Sequence, residues 1–212
     1  MARHFLDLAF TPAVLGAQQQ YFGRSQQRSP APSPTEDVLG PDETAFIEAR
    51  DSFYMASVSE TGWPYLQHRG GPAGFCRVVG PNQLAFADYR GNRQLLSTGN
   101  LASDDRVCLF LMDYPHRERL KLLGHATVLD ARDHPDLVAR LATPDLARIT
   151  ERIFSIHVEA FDWNCPQYIH PRYTAEEVET LIATPLKARI AELEARLKTQ
   201  DDLPSNPAPS RP

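Results

Sequence analysis

The polar turn Arg90-Gly91-Asn92-Arg93 holds the residues whose types and spacing best suit ligand chemistry. An alternating strand pattern runs into this turn, and a short helix is predicted to begin at or just after Asn92. Backbone N–H groups at a helix N-terminus have no partner inside the helix and carry partial positive charge. Two arginines beside such a terminus suit a phosphate group. The alternative is an N-cap followed by a solvated arginine, and these residues alone leave both interpretations open.

Further cations lie along other predicted strands. Arg69 ends a strand immediately before two glycines, whose missing side chains let a ligand approach the backbone. Arg119 and Lys121 alternate along another strand and therefore share one of its faces. A solvated strand face explains that pair without any ligand. Taken together with Arg69 and Arg93, the pair predicts an anionic ligand that lies across several strands.

An amphipathic loop follows the last predicted strand, from Phe161 to Arg172. Its mixture of Trp, Asn, Gln, Tyr and Arg between prolines is typical of a ligand-contacting loop rather than a plain connector. Trp163 and Gln167 are its candidate contact residues, although a tryptophan packed in the core is the alternative for Trp163. Cys165 lies in the same loop and is the cysteine whose thiol reactivity is worth testing.

Motifs and composition disfavour several classes of protein. The sequence contains no G-x-S-x-G, G-x-x-x-x-G-K-[ST], H-E-x-x-H or G-x-G-x-x-G motif, so it nominates no catalytic residue. The histidines lack metal-ligand spacing, and the net charge of −5 argues against sequence-independent nucleic-acid binding. No run approaches the length of a membrane span, and an odd cysteine count without a signal peptide indicates a reducing compartment. We therefore expect no metal, no nucleic-acid or membrane partner, and a cytoplasmic location.

The main domain is predicted to be mainly β. Several stretches between Phe53 and Phe161 have strand patterns, and many are joined by short turns, which require antiparallel pairing. About six or seven such strands with few helices predict a closed or nearly closed barrel, because closure removes exposed edges. A doubly wound α/β fold would need a regular alternation of strands and helices that this sequence lacks.

Composition divides the 212 residues into this domain and its flanking regions. Residues 1–41 are predicted to form an N-terminal helix and a flexible, proline-rich arm, and residues 42–172 the barrel domain. Residues 173–200 are predicted to form C-terminal helices, and residues 201–212 a disordered tail. The last helix has partly heptad-like spacing, so it packs either on a partner subunit or on its own barrel. The apolar positions of that spacing are Leu186, Ile190, Leu193 and Leu197.

Four runs of residues, in their order and spacing, resemble the pyridoxamine 5′-phosphate oxidase-like flavoproteins. They are Asp51–Val58, Gly62–Gly71, Phe86–Arg93 and Leu122–Ala126, and the similarity covers residues 42–172. The ending Asp162–Gln167 is similar to that of a bacterial subgroup, the flavin-nucleotide-binding proteins. The resemblance implies a six-stranded antiparallel split β-barrel with flanking helices. It also implies a homodimer with two FMN molecules at the subunit interface.

The resemblance assigns roles position by position. Arg93 and Gln94 match the Arg-Lys pair that holds the FMN phosphate, and Arg90 would compensate for the lysine that Gln94 replaces. Asp88 and Tyr89 end the strand that borders the flavin. Arg69 matches a basic residue at the end of an earlier FMN-contacting strand. Arg119 falls where the family has a glutamine beside the flavin ring. Trp163 and Gln167 match the region that reaches the flavin from the second subunit. The full set of predicted cofactor-binding residues is Arg69, Asp88, Tyr89, Arg90, Asn92, Arg93, Gln94, Arg119, Lys121, Trp163 and Gln167.

The expected function is that of an FMN-dependent oxidoreductase acting on an unidentified small molecule. In that hypothesis, Arg119 and Lys121 stabilise negative charge that develops near N1 and the C2 carbonyl of the flavin. The Arg-rich, Trp-containing C-terminal segment with which true oxidases bind pyridoxamine phosphate is not recognisable here, which argues against that substrate. A non-catalytic flavin carrier or sensor is the first alternative, and a ligand-free structural dimer is the second.

Overall fold

The computed structural model describes residues 3–26, 35–163 and 166–201. These residues fall into two compact units, which divide between Ile169 and His170. Part of the predicted flexible arm, residues 27–34, lies outside the described residues, as does the predicted disordered tail from residue 202 on. No helix in the described ranges is both long enough and apolar enough to cross a membrane.

One antiparallel sheet of seven strands forms the first unit. Its strands are β1 (Ser52–Val58), β2 (Pro64–Gly70), β3 (Cys76–Gly80), β4 (Gln83–Tyr89), β5 (Arg106–Asp113), β6 (Glu118–Asp130) and β7 (Thr150–Trp163). Their order in the sheet is β2-β1-β5-β6-β7-β4-β3, and every neighbouring pair is antiparallel. The predicted fold class is confirmed, with seven strands in place of the six that the family resemblance implied.

Eight α-helices flank the sheet or follow it within the described residues. They are α1 (Arg3–Ala9), α2 (Pro12–Phe22), α3 (Pro41–Glu48), α4 (Leu96–Leu101), α5 (Pro135–Leu141), α6 (Pro144–Ala147), α7 (Ala175–Val178) and α8 (Thr184–Asp201). A 3₁₀ turn covers Ala131–Asp133, and a π-helical turn joins α7 to α8 over Glu179–Ala183. Proline is found in the first turn of α2, α3, α5 and α6, where its missing N–H costs no intrahelical hydrogen bond. The first helix, α1, was absent from the sequence prediction.

A cluster of phenylalanines shows that the sheet curls so that its two ends face each other. Phe53 on β1 packs edge-to-face on Phe86 of β4, with ring centroids 5.2 Å apart. Phe86 in turn stacks on Phe154 of β7 at 5.0 Å, and Phe75 stacks on Phe53 at 5.5 Å. All four rings are at most 2% exposed. Because β1 and β4 are each second from opposite edges of the sheet, their contact requires a nearly closed barrel around this core.

A close approach between β6 and β7 depends on a glycine. The register of the two strands shifts between Leu123 and Gly124. A Cβ atom added to Gly124 would lie 2.2 Å from the backbone carbonyl oxygen of His157. Any side chain at this position therefore forces apart the two longest strands of the barrel.

We predict that Gly124→Ala lowers the free energy of unfolding by about 1–3 kcal/mol, because the backbone of β7 must move to admit the methyl group. Chemical denaturation of the purified protein measures this difference. Gly16→Ala is the matched control, since Gly16 lies inside α2 with nothing within 4 Å of an added Cβ. That control should leave stability unchanged or raise it slightly. An equal response of the two variants would contradict the close approach.

Candidate functional site

A cavity of about 390 Å³ lies between β2 and the end of β4. These two strands lie near opposite edges of the sheet, and its curl brings them together. The loop that follows β4 and the first turn of α4 complete its wall. Its lining residues are Tyr65, 67–70, Phe75, 86–98 and Arg152. The predicted phosphate-binding turn therefore lines one cavity together with polar side chains of β2 and β7.

The turn itself differs from the prediction of a helix N-terminus. Helix α4 begins at Leu96, and Arg93 and Leu95 before it have left-handed backbones with φ of 58° and 55°. The Asn92 Oδ1 atom accepts a hydrogen bond from the Gln94 N–H at 3.1 Å, so this side chain closes a turn within the loop. The prediction that a helix starts at or just after Asn92 is wrong, because these turns delay the start of α4 to Leu96. Left-handed backbones at non-glycine residues are uncommon, and they concentrate at functional sites.

Asp88 links three strands at the floor of the cavity. Its Oδ1 atom accepts from Arg69 of β2 at 2.8 Å, and its Oδ2 atom accepts from the Arg152 Nε of β7 at 2.9 Å. The antiparallel register places Asp88 directly beside Arg152, whereas the curl of the sheet brings Arg69 to it. The side chains of Arg69, Asp88 and Arg152 are 10%, 14% and 19% exposed. One shielded carboxylate therefore holds two guanidinium groups in fixed positions.

A second carboxylate, Glu151, organises the rim. It accepts from Arg93 at 2.8 Å and from Arg90 at 3.3 Å, and it lies 3.3 Å from Arg152. The hydrogen bond from Arg93, together with the charges of Arg93 and Arg152 and the bond from Arg90, lowers the pKa of the Glu151 carboxyl. The network therefore contains four arginines and two carboxylates, which leaves it with two net positive charges.

Two buried donors at the cavity have no hydrogen-bond partner in the described structure. They are the Nε of Arg69 and the hydroxyl of Tyr89, and both residues line the cavity. Burial lowers the pKa of Arg69 and raises the pKa of Tyr89. A buried polar group without a partner costs about 1–3 kcal/mol, so such groups persist where a ligand satisfies them. These donors and the surplus cations fit an anionic ligand that is rich in oxygen acceptors.

A family model described as pyridoxamine 5′-phosphate oxidase matches residues 40–161, which is more than half of the chain. The chain belongs to the pyridoxamine 5′-phosphate oxidase-like family. This is a flavin-binding, oxidoreductase-like family, and the membership confirms the resemblance seen in the sequence. Among curated proteins, no sequence matches the chain.

Solved structures with a similar fold come from several bacteria. HupZ of Group A Streptococcus has 11% identity and a TM-score of 0.45, over 64% of this chain and 99% of that chain. General Stress Protein 26 of Bacillus anthracis has 12% identity and a TM-score of 0.44, over 57% and 88%. An FMN-binding protein of Syntrophomonas wolfei has 8% identity and a TM-score of 0.45, over 57% and 83%. These values are low, so the match of the family model carries the assignment.

The structure brings most of the cofactor-binding residues that the sequence predicts to one cavity. Seven of them line it: Arg69, Asp88, Tyr89, Arg90, Asn92, Arg93 and Gln94. Sequence reasoning missed Arg152 and Glu151, which complete the network. Both belong to the last predicted strand or its edge. Only the register between β4 and β7 shows that Arg152 meets Asp88 and that Glu151 lies near Arg90 and Arg93.

Four predicted residues lie away from the cavity of their own chain. Lys121 is paired with Asp162 at 2.9 Å, and Arg119 lies on the same face of β6, with its guanidinium 5.4 Å from the centre of the Phe110 ring. Trp163 packs edge-to-face on Phe46 of α3, and its indole N–H donates to Glu43 at 2.7 Å. Gln167 is exposed beyond β7, and Cys165 lies outside the described residues.

We predict that Asp88→Asn lowers the free energy of unfolding by about 3–5 kcal/mol, because it leaves the shielded Arg69 without its counter-charge and Arg152 with Glu151 alone. Asp130→Asn is the control, since Asp130 pairs with Arg132, whose side chain is 88% exposed. The control should unfold at nearly the wild-type denaturant concentration. Chemical denaturation of both variants measures the difference, and an equal loss in the two would show that Asp88 does not hold the barrel ends together.

Proposed function

We propose that the cavity binds FMN and that the protein is an FMN-dependent oxidoreductase acting on a small molecule. The observation that supports this most strongly is the pairing of surplus positive charge with unsatisfied buried donors in one cavity. A phosphate monoester carries up to two negative charges, which matches the net charge of the arginine network. Membership of a flavin-binding family supplies the second argument.

The rim arginines are proposed to hold the phosphate. Arg90 and Arg93 are 56% and 62% exposed, so they can exchange their shared partner Glu151 for a phosphate without large rearrangement. Gln94 contributes an uncharged donor beside them. Arg69 and Tyr89, deeper in the wall, would donate their unpaired N–H and O–H groups to oxygen acceptors of the ligand. This division puts exposed arginines at the rim and fixed donors inside.

FMN, when bound, supplies the electron-transfer chemistry, and the protein supplies its orientation and electrostatic environment. The fixed Arg69 guanidinium, held by Asp88, gives the wall a permanent positive charge that favours negative charge on a neighbouring ligand. The aromatic cluster behind the cavity excludes water from that side. Both features act without any movement of the backbone.

We further propose a homodimer that uses the outer face of the sheet. Residues on this face of β2, β1, β5 and β6 lie side by side in register: Leu66, Ala56, Cys108 and Leu123. Leu66 is 61% exposed and Tyr54, on the same face, is 41% exposed. Such a contiguous apolar sheet face marks an interaction surface. Arg119 and Lys121 lie on it too, so in a dimer they would act toward the cofactor of the other subunit.

Arg93→Ala is predicted to weaken FMN binding about 10- to 150-fold, because one charge-assisted hydrogen bond to the phosphate is worth about 1.5–3 kcal/mol. Fluorescence titration of FMN into the purified protein measures the affinity. Riboflavin lacks the phosphate, so its affinity should be the same for the variant and the wild type. Arg132→Ala, which removes an arginine outside the cavity, should leave FMN binding unchanged. Unchanged FMN affinity in Arg93→Ala would place the phosphate elsewhere.

Light scattering of the purified protein is predicted to give the mass of a dimer. Leu66→Asp places a charge in the proposed interface and should shift the mass to that of a monomer, because a buried unpaired carboxylate is costly. Leu8→Asp is the control, since Leu8 is also exposed but lies on α1. A monomeric wild-type protein that binds FMN would contradict the proposed interface.

The bound flavin also gives a direct test of the enzymatic role. Addition of NADH or NADPH under anaerobic conditions should bleach the flavin absorbance if the protein is an oxidoreductase using those donors. Flavin that no electron donor reduces would favour the carrier or sensor instead.

A further inference from the structure

The second unit presents a continuous apolar stripe along its helices. Helices α7 and α8 and the π-helical turn between them run without a break from Ala175 to Asp201. Six apolar side chains follow one line along this segment, and each is between 41% and 60% exposed. They are Val178, Ile182, Leu186, Ile190, Leu193 and Leu197.

The spacing of the stripe fits a heptad repeat with one extra residue. From Leu186 onward, the apolar residues of the stripe are spaced like successive d and a positions of a heptad. Ile190 and Leu197 then occupy a positions, and Leu186 and Leu193 occupy d positions. The interval between Ile182 and Leu186 is one residue too long for a strict repeat. The π-helical turn at Glu179–Ala183 lies at this point, and a π turn accommodates one additional residue. The turn therefore keeps Ile182 on the seam, at an a position.

The residue types along the seam favour a particular oligomer. β-Branched residues at a together with leucine at d favour parallel two-stranded coiled coils. The seam has isoleucine at the first two a positions, Ile182 and Ile190, and leucine at the two following d positions. This alternation argues for two helices in parallel rather than for three or four.

The charges beside the seam argue for the same orientation. Arg189 occupies a g position and Glu194 the next e position, which face each other between the two chains of a parallel pair. In an antiparallel pair, repulsion between the g positions Arg189 and Arg196 would offset the attraction between the e positions Lys187 and Glu194. Within one chain, Arg189 bonds to Glu192 at 2.5 Å. Both side chains of that pair are more than half exposed, so the bond contributes little and can be exchanged.

We propose that residues 175–201 of two copies of this chain form a parallel two-stranded coiled coil. The partner is a second copy because the seam and its flanking charges are self-complementary. The contact is independent of the cavity and of any cofactor, and it gives the predicted C-terminal helices a role in assembly. A short coiled coil of this kind is weak by itself, so its strength depends on the concentration at which the two chains meet.

Cysteine cross-linking in the full chain tests the proposal. Leu197→Cys places a thiol at an a position, where two copies in parallel register meet, whereas Ala195→Cys places it at the outer f position. Under mild oxidation, Leu197→Cys should give a disulfide-linked dimer on a non-reducing gel, and Ala195→Cys should give no more than the wild type. Equal cross-linking of the two variants, or none above wild type in Leu197→Cys, would overturn the proposal. Circular dichroism confirms that the variants are folded.

A charge exchange in the Leu197→Cys background tests the orientation. Arg189→Glu should reduce the rate of cross-linking about five- to tenfold, because it opposes Glu194 of the partner with a like charge. Arg189→Glu combined with Glu194→Arg should restore the rate. The double variant also lacks the bond between Arg189 and Glu192, so its recovery isolates the contact between chains. A double variant as slow as the single one would contradict the parallel register.

Discussion

The buried contact of Asp88 with Arg69 and Arg152 is the interaction on which the rest of the structure depends. It joins β2, β4 and β7 where the curled sheet nearly closes, and it forms one wall of the cavity. A shielded carboxylate between two arginines fixes both guanidinium groups and leaves a positive charge in excess. Closure of the barrel and the electrostatics of the site therefore have the same origin. A ligand of opposite charge would complete the arrangement and stabilise the folded protein by linkage.

Local sequence pattern predicted the strands well because each carries its own alternation and its own turn. The loop from Arg90 to Arg93 was also found from its residue types, and Arg69 from its place before two glycines. The start of α4 was not, because the left-handed backbones of Arg93 and Leu95 arise from the Asn92 turn and leave no periodic signal. Nor were Glu151 and Arg152, because their places in the arginine network follow from strand register between distant segments.

The protein has two kinds of candidate binding surface, a charged cavity and exposed apolar faces. The cavity concentrates charge and shielded polar groups, as a site for a small anionic ligand requires. The outer sheet face and the stripe along α7 and α8 expose aliphatic side chains in register, as contacts between copies require. Arg119, which the resemblance places beside the flavin ring, lies on the first of these apolar surfaces and away from the cavity of its own chain. Assembly and cofactor binding would then be coupled through that face.

Titration of FMN into the purified full-length protein tests the central claim most directly. The arginine network predicts saturable binding of one FMN per chain, tighter than the binding of riboflavin, and weakening as salt concentration rises because the contact is ionic. Inorganic phosphate should compete with FMN for the rim arginines. A protein that stays colourless in the presence of FMN, or that binds riboflavin as tightly as FMN, would contradict the account.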